Sequence, residues 1–172
     1  MGKRSNFKRI PRDLYRTIDP RAGDALARLL EPETRFIEPC AGHYDLAAQL
    51  IAHGHTCMDA SDIKATPGVR RADALKLKPQ PHQIITNPPW RRDLLHAMIM
   101  HFMQIAPAAW LLFDADWFHT AQAKPYLAYC TDYAAIGRLL WIPDTTMRGK
   151  DNAAWYRFTP HGSNRITAWP QQ

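Results

Sequence analysis

Cysteine is scarce in this chain of 172 residues. The three that it has, Cys40, Cys57 and Cys130, are too few and too scattered for a disulfide framework, and no Cys-x-x-Cys pair suggests a zinc site. No hydrophobic run approaches the roughly 20 residues that cross a bilayer, and basic residues rather than an apolar signal core follow Met1. These absences argue against a disulfide-rich, secreted or membrane-spanning protein, and we expect a protein of the reducing cytosol.

The chain also lacks a Gly-x-Gly-x-x-Gly turn after its first predicted strand, which disfavours a nicotinamide-dependent oxidoreductase. The sequence also lacks a convincing spacing of metal-ligating residues. Asp114, Asp116 and His119 come nearest to it, but aspartates at the end of a strand and a histidine at the start of a helix need no ion. We therefore expect no metal.

Positive charge outweighs negative charge: the net charge is +6 and the sequence pI is about 9.4. Much of the excess precedes the first predicted helix, in Lys3, Arg4, Lys8, Arg9, Arg12 and Arg16. Such a segment suits a polyanion such as nucleic acid, because each phosphate contact releases a counterion. A solvated segment that aids solubility fits it equally well. We treat residues 1–18 as a basic lead-in to one domain that spans residues 1–172, since no linker or internal repeat divides the chain.

Hydrophobic patterns predict alternating helices and strands. The predicted helices cover residues 21–30, 45–53, 92–105 and 119–129, and a break near Pro125 is left open in the last of them. The predicted strands cover residues 35–38, 55–58, 69–72, 83–86, 110–113, 133–142 and 153–158. This alternation is typical of α/β proteins, in which helices cover both faces of a parallel sheet. The last two strands are joined by a loop without a helix, so we expect a mostly parallel seven-stranded sheet that ends in an antiparallel hairpin.

Polar residues stand where several of these strands end. They are Glu38, Asp62, Asp73, Asn87 and Asp114. Open α/β sheets bind ligands at the carboxyl ends of their strands. The strand pattern does not depend on these side chains, so their common position predicts a functional site at this edge of the sheet.

The segment Asn87-Pro88-Pro89-Trp90 is the most informative part of the sequence. Two consecutive prolines cannot continue a strand, so they fix a rigid turn that holds Asn87 and Trp90 in place. The Asn87 side-chain oxygen and a neighbouring backbone carbonyl can accept two hydrogen bonds from an NH2 group, while the face of Trp90 stacks on the ring that carries it. The segment therefore predicts a binding site for a flat group that carries an amine. A plain proline turn before a helix also fits the same residues.

A second motif, Glu38-Pro39-Cys40-Ala41-Gly42, follows the first predicted strand. Together with Asn-Pro-Pro-Trp it resembles class I methyltransferases that use S-adenosylmethionine (SAM), above all the DNA adenine-N6 methyltransferases. The resemblance implies a single Rossmann-like domain with SAM as its cofactor. Small residues at Ala41 and Gly42 would let the backbone approach the methionine and ribose parts of SAM.

The resemblance also implies roles for individual residues. Asp62 would accept hydrogen bonds from the ribose hydroxyls of SAM, with Asp59 as a competing candidate. The implied cofactor-binding residues are Tyr15, Thr17, Glu38, Pro39, Ala41, Gly42, Asp62, Asp73 and Asn87. The implied catalytic residues are Asn87, Pro88, Pro89 and Trp90, and the implied substrate-binding residues are Trp90, Arg91 and Lys150. For Tyr15 and Thr17, a lead-in segment with one buried aromatic residue fits equally well.

The sequence departs from the family at Tyr44, where a second glycine is usual. A reshaped pocket or weak cofactor binding would follow from a bulky residue there. The departure therefore leaves an alternative of another class, a catalytically inactive SAM-fold module that binds nucleic acid.

We expect SAM-dependent methylation of the exocyclic amine of adenine in DNA. The chain after Trp90 is too short for a separate recognition region, so we expect low sequence specificity or a protein partner that supplies it. Small enzymes of this kind resemble those carried by phages, which would place the protein in the cytosol of a bacterium or of a phage-infected host. Methylation of an RNA adenine or of a protein glutamine amide stays an alternative, because both present the same NH2 geometry.

Overall fold

The computed structural model describes residues 15–163 and 165–169. The basic residues Lys3, Arg4, Lys8, Arg9 and Arg12, for which a polyanion contact is predicted above, lie outside these described residues. Within them, no helix combines the length and the apolar character needed to cross a membrane.

Helices and strands alternate through most of the described chain. The helices are α1 (Pro20–Ala27), α2 (Asp45–Ala52), α3 (Arg92–Ile105) and α4 (Lys124–Leu127). The strands are β1 (Arg35–Glu38), β2 (Thr56–Asp62), β3 (Arg70–Arg71), β4 (Gln83–Thr86), β5 (Ala109–Asp114), β6 (Cys130–Gly137), β7 (Ala153–Phe158) and β8 (Thr167–Trp169). Short 3₁₀ turns cover Ala74–Lys76, Ala115–His119 and Ala121–Ala123.

All described strands form one sheet in the order β3-β2-β1-β4-β5-β7-β6-β8. Strand β7 is antiparallel to both of its neighbours, β5 and β6, while the other pairings are parallel. The sequence order changes direction between β1 and β4, because the chain moves outward through β2 and β3 before it returns. A change of direction of this kind opens a crevice at the carboxyl ends of the two central strands.

Both faces of the sheet are covered, which explains why its central strands are apolar without alternation. Ile84 belongs to the core beneath α3, whereas its neighbour Ile85 belongs to the core beneath α1 and α2. Leu111 and Leu112 of β5 divide in the same way. Each of these four side chains is fully buried, so the central strands are held from both sides and their carboxyl ends are fixed in position.

Hydrogen bonds join the segment before α1 to the chain that follows β6. Asp19 caps α1 by accepting from the backbone N–H of Arg21, and it also accepts from the backbone N–H of Leu140 at 2.9 Å. Burial opposes ionisation of Asp19, but the hydrogen bonds from Arg21 and Leu140 outweigh it and lower the pKa of this carboxyl group. The backbone N–H of Arg16 donates to the carbonyl of Trp141 at 3.0 Å. Residues 16–19 therefore lie against residues 140–141.

The prediction of an α/β fold with a mostly parallel sheet and an antiparallel C-terminal pair is confirmed, but the count of seven strands was wrong. The described residues form eight, because β8 pairs in parallel with β6. The three residues of β8 are all exposed, so they lack the hydrophobic alternation that identifies a strand in a sequence.

Three predicted boundaries were also wrong. Strand β2 continues past Met58 to Asp62, because the buried residues Ala60 and Ser61 keep pairing with neighbouring strands. Strand β6 stops at Gly137, and residues 138–141 turn towards the segment before α1. The segment predicted as a helix over residues 119–129 is divided between short 3₁₀ turns and the four residues of α4. Pro125 lacks the backbone donor that one continuous helix would need, which agrees with the break expected near it.

Candidate active site

One cleft lies at the carboxyl ends of β1, β2 and β4. Of the residues predicted to bind a cofactor, those that line it are Tyr15, Thr17, Glu38, Ala41, Gly42, Asp62 and Asn87. The prediction missed several further lining residues, namely Arg16, Cys40, His43, Asp45, Leu46, Lys64 and Thr66. The structure thus brings together side chains from the lead-in segment and from three strand ends.

Two residues with a predicted cofactor role lie outside this cleft. Pro39 is buried directly after β1 and does not line it. Asp73 uses its carboxylate to cap the turn Ala74–Lys76, where it accepts from the backbone N–H of Leu75 at 3.0 Å. An aspartate in a capped turn is accounted for by local structure.

The loop between β1 and α2 is fixed by two hydrogen bonds at Gly42, one at its backbone N–H and one at its carbonyl. The backbone N–H of Gly42 donates to Asp62 Oδ2 at 3.0 Å, and Thr66 Oγ1 donates to the Gly42 carbonyl at 2.6 Å. Gly42 has a φ of 53°, which glycine adopts at low cost. The loop is therefore held in one shape by the last residue of β2 and by the chain that follows this strand.

Tyr44 preserves this loop shape although it is not a glycine. It has a left-handed φ of 70°, and its backbone N–H donates to the Ala41 carbonyl at 2.7 Å. Its half-buried side chain packs against Cys57 and does not line the cleft. The ring is thus not part of the cleft lining, and the left-handed backbone at Tyr44 is strained.

Asp62 and Asp59 occupy different environments. Both carboxylate oxygens of Asp62 accept backbone N–H groups, from Gly42 at 3.0 Å and from Lys64 at 3.0 Å, and its side chain lines the cleft. Asp59 lies inside β2 and forms an ion pair with Arg70 at 2.6 Å. Asp62 is therefore the acidic residue of β2 that faces the cleft.

Glu38 is a carboxyl group buried without full compensation. It is 2% exposed, and its Oε2 atom has no hydrogen-bond partner among the described residues. Burial raises the pKa of Glu38 well above its usual value, and the nearby charges of Asp45 and Asp62 raise it further, although a backbone hydrogen bond from Ala47 opposes them. A buried acceptor that lines a cleft favours a ligand with a cationic or hydrogen-bond-donating group.

Arg16 forms part of the cleft wall through a paired contact with α2. Its Nε and Nη2 atoms donate to the two carboxylate oxygens of Asp45 at 2.7 and 2.6 Å. This fork geometry fixes the guanidinium group in orientation. In the sequence Arg16 is one basic residue among many in the lead-in segment, and no local pattern relates it to Asp45.

Asn87 has both ends of its side-chain amide engaged. Its Nδ2 atom donates to Thr17 Oγ1 at 3.1 Å, and its Oδ1 atom accepts from the indole Nε1 of Trp90 at 3.0 Å. The ring of Trp90 meets Trp141 edge to face, with 5.5 Å between centroids and an interplanar angle of 86°. The oxygen predicted to accept a target amine is thus occupied by the indole that was predicted to stack on the same target.

The predicted substrate-binding residues Arg91 and Lys150 lie outside the cleft. Arg91 is exposed and forms an ion pair with Asp93, with Nη2 and Oδ2 separated by 2.6 Å. Lys150 is exposed in the loop between β6 and β7. Its neighbour Gly149 donates a backbone hydrogen bond to the Leu139 carbonyl at 2.7 Å, which holds this loop near Trp141.

Asp114 and its neighbours are explained by other contacts. Asp114 pairs with Arg92 at 2.6 Å and caps the turn Ala115–His119 by accepting from the Asp116 backbone. Across residues 15–163 and 165–169, no group of three or more His, Cys, Asp or Glu side chains is placed to hold a metal ion.

Neither a protein-family model nor a curated protein sequence matches this chain. Solved structures do share its fold. It is similar to a proposed RNA methyltransferase from Pyrococcus horikoshii, at 11% identity and a TM-score of 0.60 over 80% of this chain and 82% of that one. It is also similar to the M protein of the type I restriction enzyme EcoKI, at 10% identity and a TM-score of 0.59 over 93% of this chain and 49% of that one.

A dimethyladenosine transferase from Plasmodium falciparum is a third similar structure, at 12% identity and a TM-score of 0.53 over 86% of this chain and 63% of that one. At such identities the likeness concerns the fold. The chain has the Rossmann-like α/β fold of class I methyltransferases. It spans about half the length of the EcoKI M protein.

Proposed function

We propose that this protein is a SAM-dependent methyltransferase that acts on the exocyclic amine of adenine in DNA, with low sequence specificity. The observation that carries the proposal is that a single cleft is lined both by Glu38, Gly42 and Asp62 and by Asn87 of the Asn-Pro-Pro-Trp turn. Glu38, Gly42 and Asp62 suit the binding of a cofactor, and Asn87 suits the binding of an amine. The EcoKI M protein and the dimethyladenosine transferase that share the fold support a nucleic-acid substrate.

The cleft meets the requirements of SAM in two places. The unpartnered Oε2 atom of Glu38 offers a buried acceptor for the ammonium group, directly or through water. The carboxylate of Asp62, held by two backbone N–H groups, offers acceptors for ribose hydroxyls. Tyr44 is not among the residues that line this cleft. SAM, when bound, supplies an electrophilic methyl group.

The residues of the turn would then prepare the amine. An aromatic amine is a weak nucleophile because its lone pair is delocalised into the ring. Asn87 Oδ1 and the Pro88 carbonyl would accept both amine protons, which concentrates the lone pair on nitrogen, and Trp90 would stack on the base. The proton displaced by methylation leaves to solvent. Positioning and electrostatic preorganisation supply most of the rate enhancement.

DNA is the substrate that we propose, since the net charge of +6 suits a polyanion. A base in a duplex must first be flipped out, at a cost of about a few kcal/mol. A protein partner that binds the DNA would supply any sequence specificity. Methylation of RNA adenine is the second candidate, because a proposed RNA methyltransferase shares the fold over most of this chain.

The proposal is tested by nucleoside mass spectrometry on DNA and RNA from a methylation-free bacterial host that expresses the protein. Asn87→Ala is the test variant, and Gln122→Ala, an exposed amide outside the cleft, is the control. We expect N6-methyladenine in DNA with the wild type and with Gln122→Ala. With Asn87→Ala we expect at least about a 100-fold loss, because one preorganised acceptor is removed.

Calorimetry with SAM completes the test. We expect Asn87→Ala to keep SAM affinity within about 3-fold, because one hydrogen bond contributes little net free energy to binding. Methyladenine in RNA alone would replace DNA by RNA as the substrate. SAM binding without methylation of either nucleic acid would point to a protein amide. Absence of SAM binding by the wild type would overturn the enzyme proposal and leave the inactive module.

A further inference from the structure

The side-chain amide of Asn87 has a defined orientation in this structure. An indole N–H can only donate, so the Asn87 atom that lies 3.0 Å from Trp90 Nε1 must be the oxygen. The NH2 end then faces Thr17 Oγ1, at 3.1 Å. With the opposite orientation, two donors would face each other at Trp90.

Thr17 is itself held firmly. It is 7% exposed, and its backbone carbonyl accepts from Gln49 Nε2 at 2.6 Å. The Oε1 atom of the same Gln49 accepts from the backbone N–H of Gly23 at 2.9 Å. Through Gln49, helix α2 is hydrogen-bonded both to α1 and to the segment that carries Thr17. The Thr17 hydroxyl group is therefore held at a fixed position beside the Asn-Pro-Pro-Trp turn.

A target amine would have to displace the indole from Asn87 Oδ1, because both donate to the same oxygen. Once the indole has left, the bond to Thr17 is the remaining side-chain contact of the Asn87 amide in the described structure. Without that bond the amide can rotate and turn its NH2 group towards the amine. Two donors would then meet, and the lone pair would not be concentrated on the reacting nitrogen.

We infer that Thr17 is a positioning residue. Its hydroxyl oxygen accepts a hydrogen bond from Asn87 Nδ2, and this bond keeps Asn87 Oδ1 directed towards the amine-binding position. Its effect on catalysis rests on the proposed function, whereas its effect on the orientation of Asn87 does not. The role differs from the direct cofactor contact that the family resemblance implies for Thr17.

Three variants isolate this role. Thr17→Val removes the hydroxyl with little change of volume, and Thr17→Ser restores it. Thr34→Val is the matched control, because Thr34 is also 7% exposed and its hydroxyl donates to the Glu31 carbonyl outside the cleft.

Nuclear magnetic resonance tests the contact without any need for activity. In the unaltered protein we expect an NOE between the Asn87 side-chain NH2, assigned from its loss in Asn87→Ala, and the Thr17 side chain. We expect Thr17→Val, but neither Thr17→Ser nor Thr34→Val, to shift the Asn87 NH2 signals and the Trp90 indole N–H signal. A missing NOE between Asn87 and Thr17 overturns the inference even if Thr17→Val does not fold. The inference is also overturned if Thr17→Val folds but leaves the Asn87 NH2 and Trp90 indole N–H signals unchanged.

Kinetics test the consequence. We expect Thr17→Val to lower kcat about 10-fold while the Kd for SAM changes by less than about 3-fold, since misorientation of a catalytic group impairs the chemical step more than ground-state binding. Thr17→Ser should restore kcat, and Thr17→Val should cause no further loss in an Asn87→Ala background. Weakened SAM binding with unchanged kcat would instead make Thr17 a cofactor contact and overturn the inference. If the wild type methylates no substrate, the proposed function fails, while the resonance data still decide whether Thr17 orients Asn87.

Discussion

The indole N–H of Trp90 donates to Asn87 Oδ1 at 3.0 Å, so two members of one rigid turn satisfy each other. A partly buried amide oxygen left without a donor would cost free energy, and this contact reduces that cost. When an amine takes the place of the indole, one hydrogen bond to Asn87 is exchanged for another. The indole ring can then be used for stacking.

Substitution of Trp90 separates these two roles of its side chain. Phenylalanine keeps an aromatic face but has no N–H donor, so we expect Trp90→Phe to hold kcat/KM for nucleic acid within about 3-fold. Trp90→Ala should lower it by about 10- to 100-fold, because stacking on a base is worth about 1–3 kcal/mol. Steady-state kinetics with both variants check this. Equal losses in the two would show that the N–H group matters more than the ring.

The raised pKa of Glu38 predicts how stability depends on pH. Because the buried carboxyl group holds its proton more tightly in the folded state, the folded protein binds more protons than the unfolded chain above the ordinary glutamate pKa of 4.5. The Glu38 contribution to the free energy of unfolding is then fully present below that pH and is lost as pH rises through the folded-state pKa. Urea unfolding at a series of pH values should show a flatter dependence in Glu38→Gln. Parallel curves for the two proteins would show that Glu38 is not the group responsible.

The left-handed backbone at Tyr44 predicts an unusual order of stability between two variants. Both Tyr44→Ala and Tyr44→Gly lose the packing against Cys57. Because φ is 70° there, we expect Tyr44→Gly to be the more stable by about 1 kcal/mol. At the exposed helical residue Ala48, glycine should instead destabilise by about 1 kcal/mol. Chemical denaturation measures both differences, and a Tyr44→Ala variant as stable as Tyr44→Gly would mean that this backbone is not strained.

Gly149 gives a prediction that links the loop between β6 and β7 to Trp90. A Cβ atom at Gly149 would lie 2.6 Å from Trp141 Nε1, and Trp141 in turn packs edge to face on Trp90. We expect Gly149→Ala to displace Trp141 and to lower kcat/KM for nucleic acid by about 10-fold, with SAM affinity unchanged. The smaller ring of Trp141→Phe, added to Gly149→Ala, should recover part of the loss. If Gly149→Ala weakened SAM binding as much as activity, this route through Trp141 would be wrong.

The sequence by itself determined the central part of the fold and the edge of the sheet at which the cleft lies. Buried strands such as β4 and β5 are continuous apolar runs, and the residues that end them are polar, so the pattern identifies both the strands and the edge at which they end. The Asn-Pro-Pro-Trp turn is equally local, because proline geometry is fixed by the residue itself. These features need no knowledge of distant contacts.

Only the tertiary structure decided how these residues are engaged. Strand β8 has no hydrophobic alternation and exists because β6 offers it a free edge. The Tyr44 ring lies outside the cleft lining and packs against a small core of Ala41, Ala60 and Val69. The bonds from Arg16 to Asp45 and from Asn87 to Thr17 join residues 29 and 70 positions apart. Such contacts depend on how α1 and α2 pack against the sheet, which short-range patterns in a sequence do not encode.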